Sequence, residues 1–167
     1  MLFDLPLLIL DRDGVINDAP TNGNRYILKA SDLILRHGVI REIARIQKFG
    51  DVAVATNQQC VGKNLISESE LNSLHRIIDD AVVKEGGRPL QYFICPHLES
   101  DGCSCRKPNP GLLKEAMDHF HCDDPSRALF IGDKESDRLA ALRAGTTFVM
   151  ASTEIEIVTT LEKFEAH

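Results

Sequence analysis

The chain has 167 residues and a formal net charge of −6, with 43% hydrophobic and 26% charged residues. A chain of this size can bury one stable core, and its acidic balance argues against a nucleic-acid-binding protein, which usually carries a basic surface. Its longest uncharged apolar run, residues 5–10, is too short to span a bilayer. These properties predict one soluble domain over residues 1–167, with no membrane and no nucleic acid among its partners.

Short apolar runs alternate with amphipathic stretches along the chain. The helix signals are a capping box at Ser67 and Glu70, a cap followed by proline at Asn109 and Pro110, and a terminating glycine at Gly145. In chain order, the predicted elements are a strand at 5–10, a flap at about 17–35, a helix over 39–46, a strand at 52–55, a helix over 68–83, a strand at 92–95, a helix from 110, a strand at 128–131, a helix up to 144, a strand at 147–150 and a C-terminal helix.

This alternation of strands and helices predicts an α/β fold, in which a Rossmann-like parallel sheet is sandwiched by helices. In such sheets, ligands bind at the carboxyl ends of the strands. Asp11, Thr56 and Asp133 each follow a predicted strand, and a cysteine-rich loop over 95–105 begins at the end of another. We therefore expect these polar groups to meet at one edge of the sheet.

The cysteine-rich loop predicts a metal site. Cys95, His97, Cys103 and Cys105 supply three thiolates and one imidazole, a ligand set typical of tetrahedral Zn²⁺. Four protein ligands leave no open position, so the zinc would be structural; the alternative is a set of inert core thiols. Cysteines concentrated in one loop favour a reducing compartment, and the N-terminus has no basic segment typical of a secretory signal, so we expect a cytoplasmic protein.

Four short motifs carry a family resemblance. The segments are 11–17 (Asp-Arg-Asp-Gly-Val-Ile-Asn), 56–58 (Thr-Asn-Gln), 106–108 (Arg-Lys-Pro) and 132–137 (Gly-Asp-Lys-x-x-Asp). In order and separation they resemble the motifs of the haloacid dehalogenase (HAD) superfamily. The Cys-Pro-His…Cys-x-Cys insert further resembles that of the zinc-loop phosphatases in this superfamily. The short intervals between motifs leave no room for a large cap domain, so a capless fold is expected.

The resemblance implies a Mg²⁺-dependent phosphomonoester hydrolase that acts through an aspartyl phosphate. Asp11 would be the nucleophile, and Asp13 would protonate the leaving oxygen and then activate water. Asp11, the main-chain carbonyl of Asp13, and Asp133 would hold Mg²⁺, with Asp137 in support. Thr56 and Lys107 would hold the transferring phosphoryl group.

The substrate is expected to be a small phosphorylated metabolite that a monomer binds through Asn57, Arg106 and Lys134. The zinc-loop phosphatases act on D-glycero-D-manno-heptose 1,7-bisphosphate or on histidinol phosphate. The favoured hypothesis is that the heptose bisphosphate is the substrate and loses its 7-phosphate. Arg106 would then contact the part of the substrate far from the reacting phosphate. Less favoured alternatives are a polynucleotide 3′-phosphatase and a non-catalytic zinc-binding module.

Two segments depart from the family pattern. Gln59 and Cys60 stand where the family usually has a small residue and glycine, and the flap has extra residues over 19–25. The histidines other than His97, including His75, are interpreted as solvated or packing residues.

Overall fold

The computed structural model describes residues 7–21, 23 and 25–164. The predicted start of the first strand, residues 5 and 6, lies outside these residues. Within them, five parallel strands form one sheet. The strands are β1 (Leu7–Leu10), β2 (Asp51–Asn57), β3 (Gln91–Cys95), β4 (Ala128–Gly132) and β5 (Thr147–Met150).

Helices connect the strands and cover both faces of the sheet, as the alternating pattern predicts. In the described ranges, none of them has the length and apolar content needed to cross a membrane. The α-helices are α1 (His37–Ile46), α2 (Gln59–Gly62), α3 (Glu68–Lys84), α4 (Gly111–His119), α5 (Glu135–Ala144) and α6 (Glu154–Leu161).

The residues of β1 alternate between two apolar clusters, because successive side chains of a strand point to opposite faces. Leu8 and Leu10 pack in the cluster that includes residues of α1, α3 and α6. Leu7 and Ile9 pack in the cluster that includes residues of α4 and α5. The sheet is thus buried on both faces, which is typical of parallel sheets.

The order of the strands, β3-β2-β1-β4-β5, places a topological switch point at β1. The chain moves outward from β1 through β2 to β3, and then returns to β4 on the other side of β1. In open α/β sheets, ligands bind where the strand order reverses, outside the carboxyl ends of the strands. Asp11 follows β1 and Asp133 follows β4, so both acids lie at this point.

Three local predictions differ from the structure. Thr56 and Asn57 do not follow β2 but form its last two residues. The short helix α2 has no counterpart among the predicted elements. Helix α4 begins at Gly111 with Pro110 as its N-cap, and Asn109 does not cap it. The Asn109 amide instead donates to the carbonyl of Cys103 at 2.7 Å, which ties the helix to the cysteine-rich loop.

The other helix signals are confirmed. The Ser67 side chain accepts the backbone N–H of Glu70, and the Glu70 carboxylate accepts the N–H of Ser67, which is the predicted capping box. Gly145 ends α5 in the left-handed region, with φ of 82°.

Candidate active site

Lys107 is the buried cation at the centre of the site. Its Nζ lies 3.0 Å from Oδ1 of Asp11 and 2.7 Å from Oδ1 of Asp137, and it donates to the carbonyl of Ala55 at 2.9 Å. Burial alone would lower the pKa of Lys107, but attraction to the two carboxylates raises it above its ordinary value. Burial raises the pKa of Asp11 to about 7, although Lys107 opposes this shift. Lys107 therefore stays charged and holds Asp11 at the end of β1.

Asp13 is held by donors on both of its oxygens. Arg12 donates through Nε at 2.9 Å to Oδ1 and through Nη2 at 3.1 Å to Oδ2. Asn17 adds a bond to Oδ1 at 3.0 Å, and Gln58 reaches Oδ2 at 3.3 Å. Burial would raise the pKa of Asp13, but the charge of Arg12 and these hydrogen bonds lower it below its ordinary value. Asp13 is therefore a carboxylate in this arrangement.

Asp133 and Gly14 are in close contact across the site. A Cβ on Gly14 would lie 2.1 Å from Oδ2 of Asp133, and the φ of Gly14 is +89°, so glycine is required here. The Oδ1 of Asp133 is buried and has no hydrogen-bond partner among the described residues. Such an orphaned carboxylate oxygen is suited to a cation.

Carboxylate oxygens of Asp11, Asp133 and Asp137 lie within 4.8 Å of one another, which fits the oxygen ligands that Mg²⁺ prefers. Asp137 pairs with Lys107 and accepts the N–H of Lys134 at 3.1 Å, and Asp11 likewise pairs with Lys107 and accepts the N–H of Arg12 at 2.8 Å. The supporting role expected for Asp137 stays a prediction.

The end of β2 contributes a polar turn. Thr56 is buried, and its Oγ1 accepts a bond from the Gln58 amide at 2.8 Å. The Asn57 side chain donates to the carbonyl of Lys107 and accepts its N–H, both at 3.0 Å. Both ends of the Asn57 amide thus hold the main chain of Lys107, which is a contact the sequence did not indicate.

The four predicted zinc ligands lie together. The Sγ atom of Cys105 is 3.1 Å from that of Cys95 and 3.5 Å from that of Cys103, and the Nδ1 atom of His97 is 3.2 Å from the Cys105 sulfur. Tetrahedral Zn²⁺ with Zn–S bonds of about 2.3 Å places its sulfurs about 3.7 Å apart, so the cluster is close to that arrangement. All three cysteines are free thiols.

Two connected cavities bring the predicted residues together. A cleft of about 400 Å³ opens above a smaller cavity of about 30 Å³, and the two share Asp13, Asn57, Lys107 and Lys134. Asp11 and Thr56 line the smaller cavity, while Arg106 lines the cleft. Every predicted substrate-binding and catalytic residue therefore lies along one continuous space.

The flap forms one wall of the cleft and supplies a cation that the sequence analysis did not assign. Arg25 and Tyr26 line the cleft from the flap, and Arg106 lines it from the cysteine-rich loop. The Tyr26 hydroxyl accepts bonds from Gln59 at 2.8 Å and Lys63 at 2.9 Å, which attach the flap to α2. Gln59, the residue that departs from the family pattern, therefore has a structural partner in the flap.

The sequence analysis also did not predict the contact between Arg12 and His75. The Arg12 side chain is completely buried, and its Nη1 lies 3.2 Å from Nε2 of His75. The available signal was weak: an arginine between two acids in a turn after a buried strand.

Comparison with known proteins gives a consistent result. The family model described as HAD-hydrolase-like matches residues 104–167. The D-glycero-beta-D-manno-heptose-1,7-bisphosphate 7-phosphatase of Pseudomonas putida is 35% identical over 150 residues, which are 89% of this chain and 83% of that protein. The Pseudomonas aeruginosa protein of the same name is 37% identical over 148 residues, 88% of this chain and 81% of that one.

Solved structures agree with these relatives. The D,D-heptose 1,7-bisphosphate phosphatase of Bordetella bronchiseptica, solved with magnesium and phosphate, aligns with a TM-score of 0.81 and 30% identity. The alignment covers 93% of this chain and 87% of the other. A putative HAD-like phosphatase from Mesorhizobium loti aligns with a TM-score of 0.76 and 26% identity, covering 97% and 89% of the two chains.

Proposed function

Because the chain belongs to the HAD-superfamily phosphatases that include the heptose-1,7-bisphosphate 7-phosphatases, we propose that it removes the 7-phosphate of D-glycero-D-manno-heptose 1,7-bisphosphate. The observation that carries this proposal is the buried ion cluster at the end of β1, in which Lys107 orients Asp11 beside Asp13 at the bottom of an open cleft. A nucleophile, an acid/base group and a phosphoryl-binding cation are the parts that phosphoryl transfer requires.

In the proposed reaction, a carboxylate oxygen of Asp11 bonds to phosphorus while the bond from phosphorus to the ester oxygen breaks. Asp13 is ionised in the described arrangement, so it first takes up a proton from solvent. It then gives this proton to the departing oxygen, and takes one from the water that attacks the aspartyl phosphate. Phosphate leaves and Asp11 is restored. Lys107 and the Thr56 hydroxyl stabilise the charge that builds up on the phosphoryl oxygens.

Asp11, Asp133 and the main-chain carbonyl of Asp13 would hold Mg²⁺. When bound, the ion reduces the repulsion between the anionic nucleophile and the anionic phosphate. The orphaned oxygen of Asp133 and the three converging carboxylates support this assignment.

We also propose that Cys95, His97, Cys103 and Cys105 bind a structural Zn²⁺. The short distances among their ligand atoms support this assignment. The loop continues directly into Arg106 and Lys107, so the zinc would fix the start of the substrate-binding segment. The enzyme is further proposed to act as a single-domain cytoplasmic monomer. Light scattering of the purified protein would test the monomeric state.

The cationic walls of the cleft favour the bisphosphate over histidinol phosphate. Arg25 and Arg106 line the part of the cleft outside the smaller cavity, and Nη1 of Arg106 is buried without a partner among the described residues. A second phosphate on the substrate would pair with these guanidinium groups, whereas the cationic distal part of histidinol phosphate would be repelled. Asn57 and Lys134 complete the proposed substrate contacts.

The test is phosphate release from heptose 1,7-bisphosphate, histidinol phosphate and 4-nitrophenyl phosphate in the presence of Mg²⁺. We expect the highest kcat/KM for the bisphosphate, and ³¹P NMR should show that the 7-phosphate is lost. Asp11→Asn is the control, because loss of the nucleophile should reduce kcat by far more than about tenfold. Preference for histidinol phosphate would contradict the proposed substrate, and a nearly active Asp11→Asn protein would contradict the mechanism.

A further inference from the structure

A chain of buried polar contacts connects Asp13 to the buried face of α3. The guanidinium of Arg12 donates to both oxygens of Asp13 on one side, and its Nη1 lies 3.2 Å from Nε2 of His75 on the other. His75 is 4% exposed, and the residue next to it in this chain of contacts, Arg12, is 0% exposed. Both partners of this contact are therefore buried, and His75 also lines a surface cavity together with Asp79 and Tyr92.

The contact fixes the chemical state of His75. A guanidinium has only donors, so Nε2 of His75 must be the acceptor and its proton must lie on Nδ1. Burial, and then the charge of Arg12, lowers the pKa of His75 to about 3, which agrees with a neutral ring. His75 therefore completes the hydrogen bonding of a buried charge without adding a second positive charge.

The imidazole of His75 is itself held in place. It stacks on the ring of Tyr92 with centroids 4.0 Å apart and an angle of 2° between the planes. The Tyr92 hydroxyl donates to Oδ1 of Asp79 at 3.0 Å, and the same oxygen accepts the N–H of Leu90 at 2.9 Å. The ring is thus fixed by β3 and by α3, the helix to which it belongs.

We propose that His75 is a positioning residue for phosphoryl transfer: it accepts a hydrogen bond from Arg12, and thereby fixes the guanidinium that orients the Asp13 carboxylate. This inference rests on the proposed acid/base role of Asp13. His75 touches neither substrate nor the reacting atoms, and its effect passes through Arg12. Without an acceptor at this place, Nη1 of Arg12 is left buried and unpaired, so the guanidinium rotates toward another acceptor and Asp13 moves with it.

Two substitutions separate the acceptor from the shape of the ring. His75→Phe keeps a flat ring that can stack on Tyr92 but has no acceptor, whereas His75→Gln has an acceptor oxygen but no ring. The proposal predicts that Gln is the more active variant, and a packing role predicts that Phe is. His119→Leu is a control for loss of a histidine elsewhere, since the more exposed His119 contacts Phe93 and Phe120 and has no contact with Arg12 among the described residues.

The readout is the dependence on the leaving group. The sugar alkoxide needs a proton from Asp13, whereas 4-nitrophenolate leaves without one. The first transfer, from substrate to Asp11, is reported by kcat/KM, whereas kcat also contains the hydrolysis of the aspartyl phosphate, in which Asp13 acts on every substrate. His75→Phe should lower kcat/KM on heptose 1,7-bisphosphate by about ten- to hundredfold, while kcat/KM on 4-nitrophenyl phosphate stays within about twofold. Equal losses on both substrates, or a Phe variant more active than the Gln variant, would overturn the proposal. If His75→Phe does not fold, His75→Leu takes its place in the same comparison.

A spectroscopic measurement tests the contact without activity. In ¹⁵N spectra of the imidazole groups, His75 should be neutral with its proton on Nδ1, and a proton on Nε2 would overturn the inference. A wild-type protein that releases phosphate from neither substrate would instead refute the proposed function, so the two failures are distinguishable.

Discussion

Replacing Gly14 with alanine should damage the proposed Mg²⁺ site more than the fold. The new Cβ would lie 2.1 Å from Oδ2 and 2.5 Å from Cγ of Asp133, and such contacts force one group to move. Moving Oδ2 to an ordinary contact of about 3.4 Å displaces it by more than 1 Å, far beyond the tolerance of about 0.2 Å on a metal–ligand distance. We therefore expect the affinity of the protein for Mg²⁺ to fall by about ten- to hundredfold.

Gly86→Ala provides a matched control. Gly86 has φ of +87°, nearly that of Gly14, but a Cβ there would meet nothing within 4 Å. Both substitutions carry the left-handed strain of about 1–2 kcal/mol, which corresponds to a fall in Tm of roughly 2–8 °C for a chain of this length.

Thermal unfolding without metal and Mg²⁺ titration of phosphatase activity measure the two effects separately. Both proteins should lose the stability that the left-handed strain costs, and Gly14→Ala should lose more because its Cβ also clashes with Asp133. Only Gly14→Ala should require more Mg²⁺ for activity. An unchanged Mg²⁺ requirement in Gly14→Ala would refute the assignment of Asp133 as a metal ligand.

Three further outcomes are expected. Lys107→Met should destabilise the metal-free chain to urea by about 3–5 kcal/mol, because it leaves two buried carboxylates unpaired. Loss of the Lys107 charge raises the pKa of Asp11 further, so this deficit should shrink as the pH falls toward about 7, where Asp11 is protonated in the variant but still largely ionised in the wild type, and stay constant below it; a loss under about 1 kcal/mol would contradict the ion cluster. Arg106→Ala should lower kcat/KM on heptose 1,7-bisphosphate about ten- to hundredfold and spare 4-nitrophenyl phosphate; an equal loss on both would place Arg106 at the transferring phosphate. Cys103→Ser should reduce the zinc content measured by mass spectrometry from about one ion per chain and lower activity indirectly; a wild-type protein purified without zinc would argue against the site.

The parallel sheet and most of the candidate site were accessible from the sequence because both depend on local patterns. Apolar runs predicted the strands, and acids just beyond two of those runs predicted which edge would be polar. The ligand spacing of Cys95, His97, Cys103 and Cys105 predicted that their side chains would cluster. Each of these signals lies within a short segment of chain.

The contacts that escaped prediction join segments far apart in sequence. His75 lies on the buried face of α3 with Leu71 and Ile78, so its position looks like ordinary packing until Arg12, 63 residues away, is seen beside it. Asn57 likewise bonds the main chain of a residue 50 positions later. Helix α2, with four residues, is too short to show an apolar period.

The central position of β1 has a consequence for the synthesis of the protein. β1 pairs with β2, but its other edge pairs with β4, with Leu7 opposite Ala128. During translation, β1 therefore leaves the ribosome long before β4 is synthesised. Until then, the backbone groups on one edge of this apolar strand have no strand to pair with. Such non-local pairing slows folding, and Asp11 acquires its final neighbours only after β4 has docked. The proposed nucleophile is encoded near the start of the chain, yet its surroundings are among the last parts to assemble.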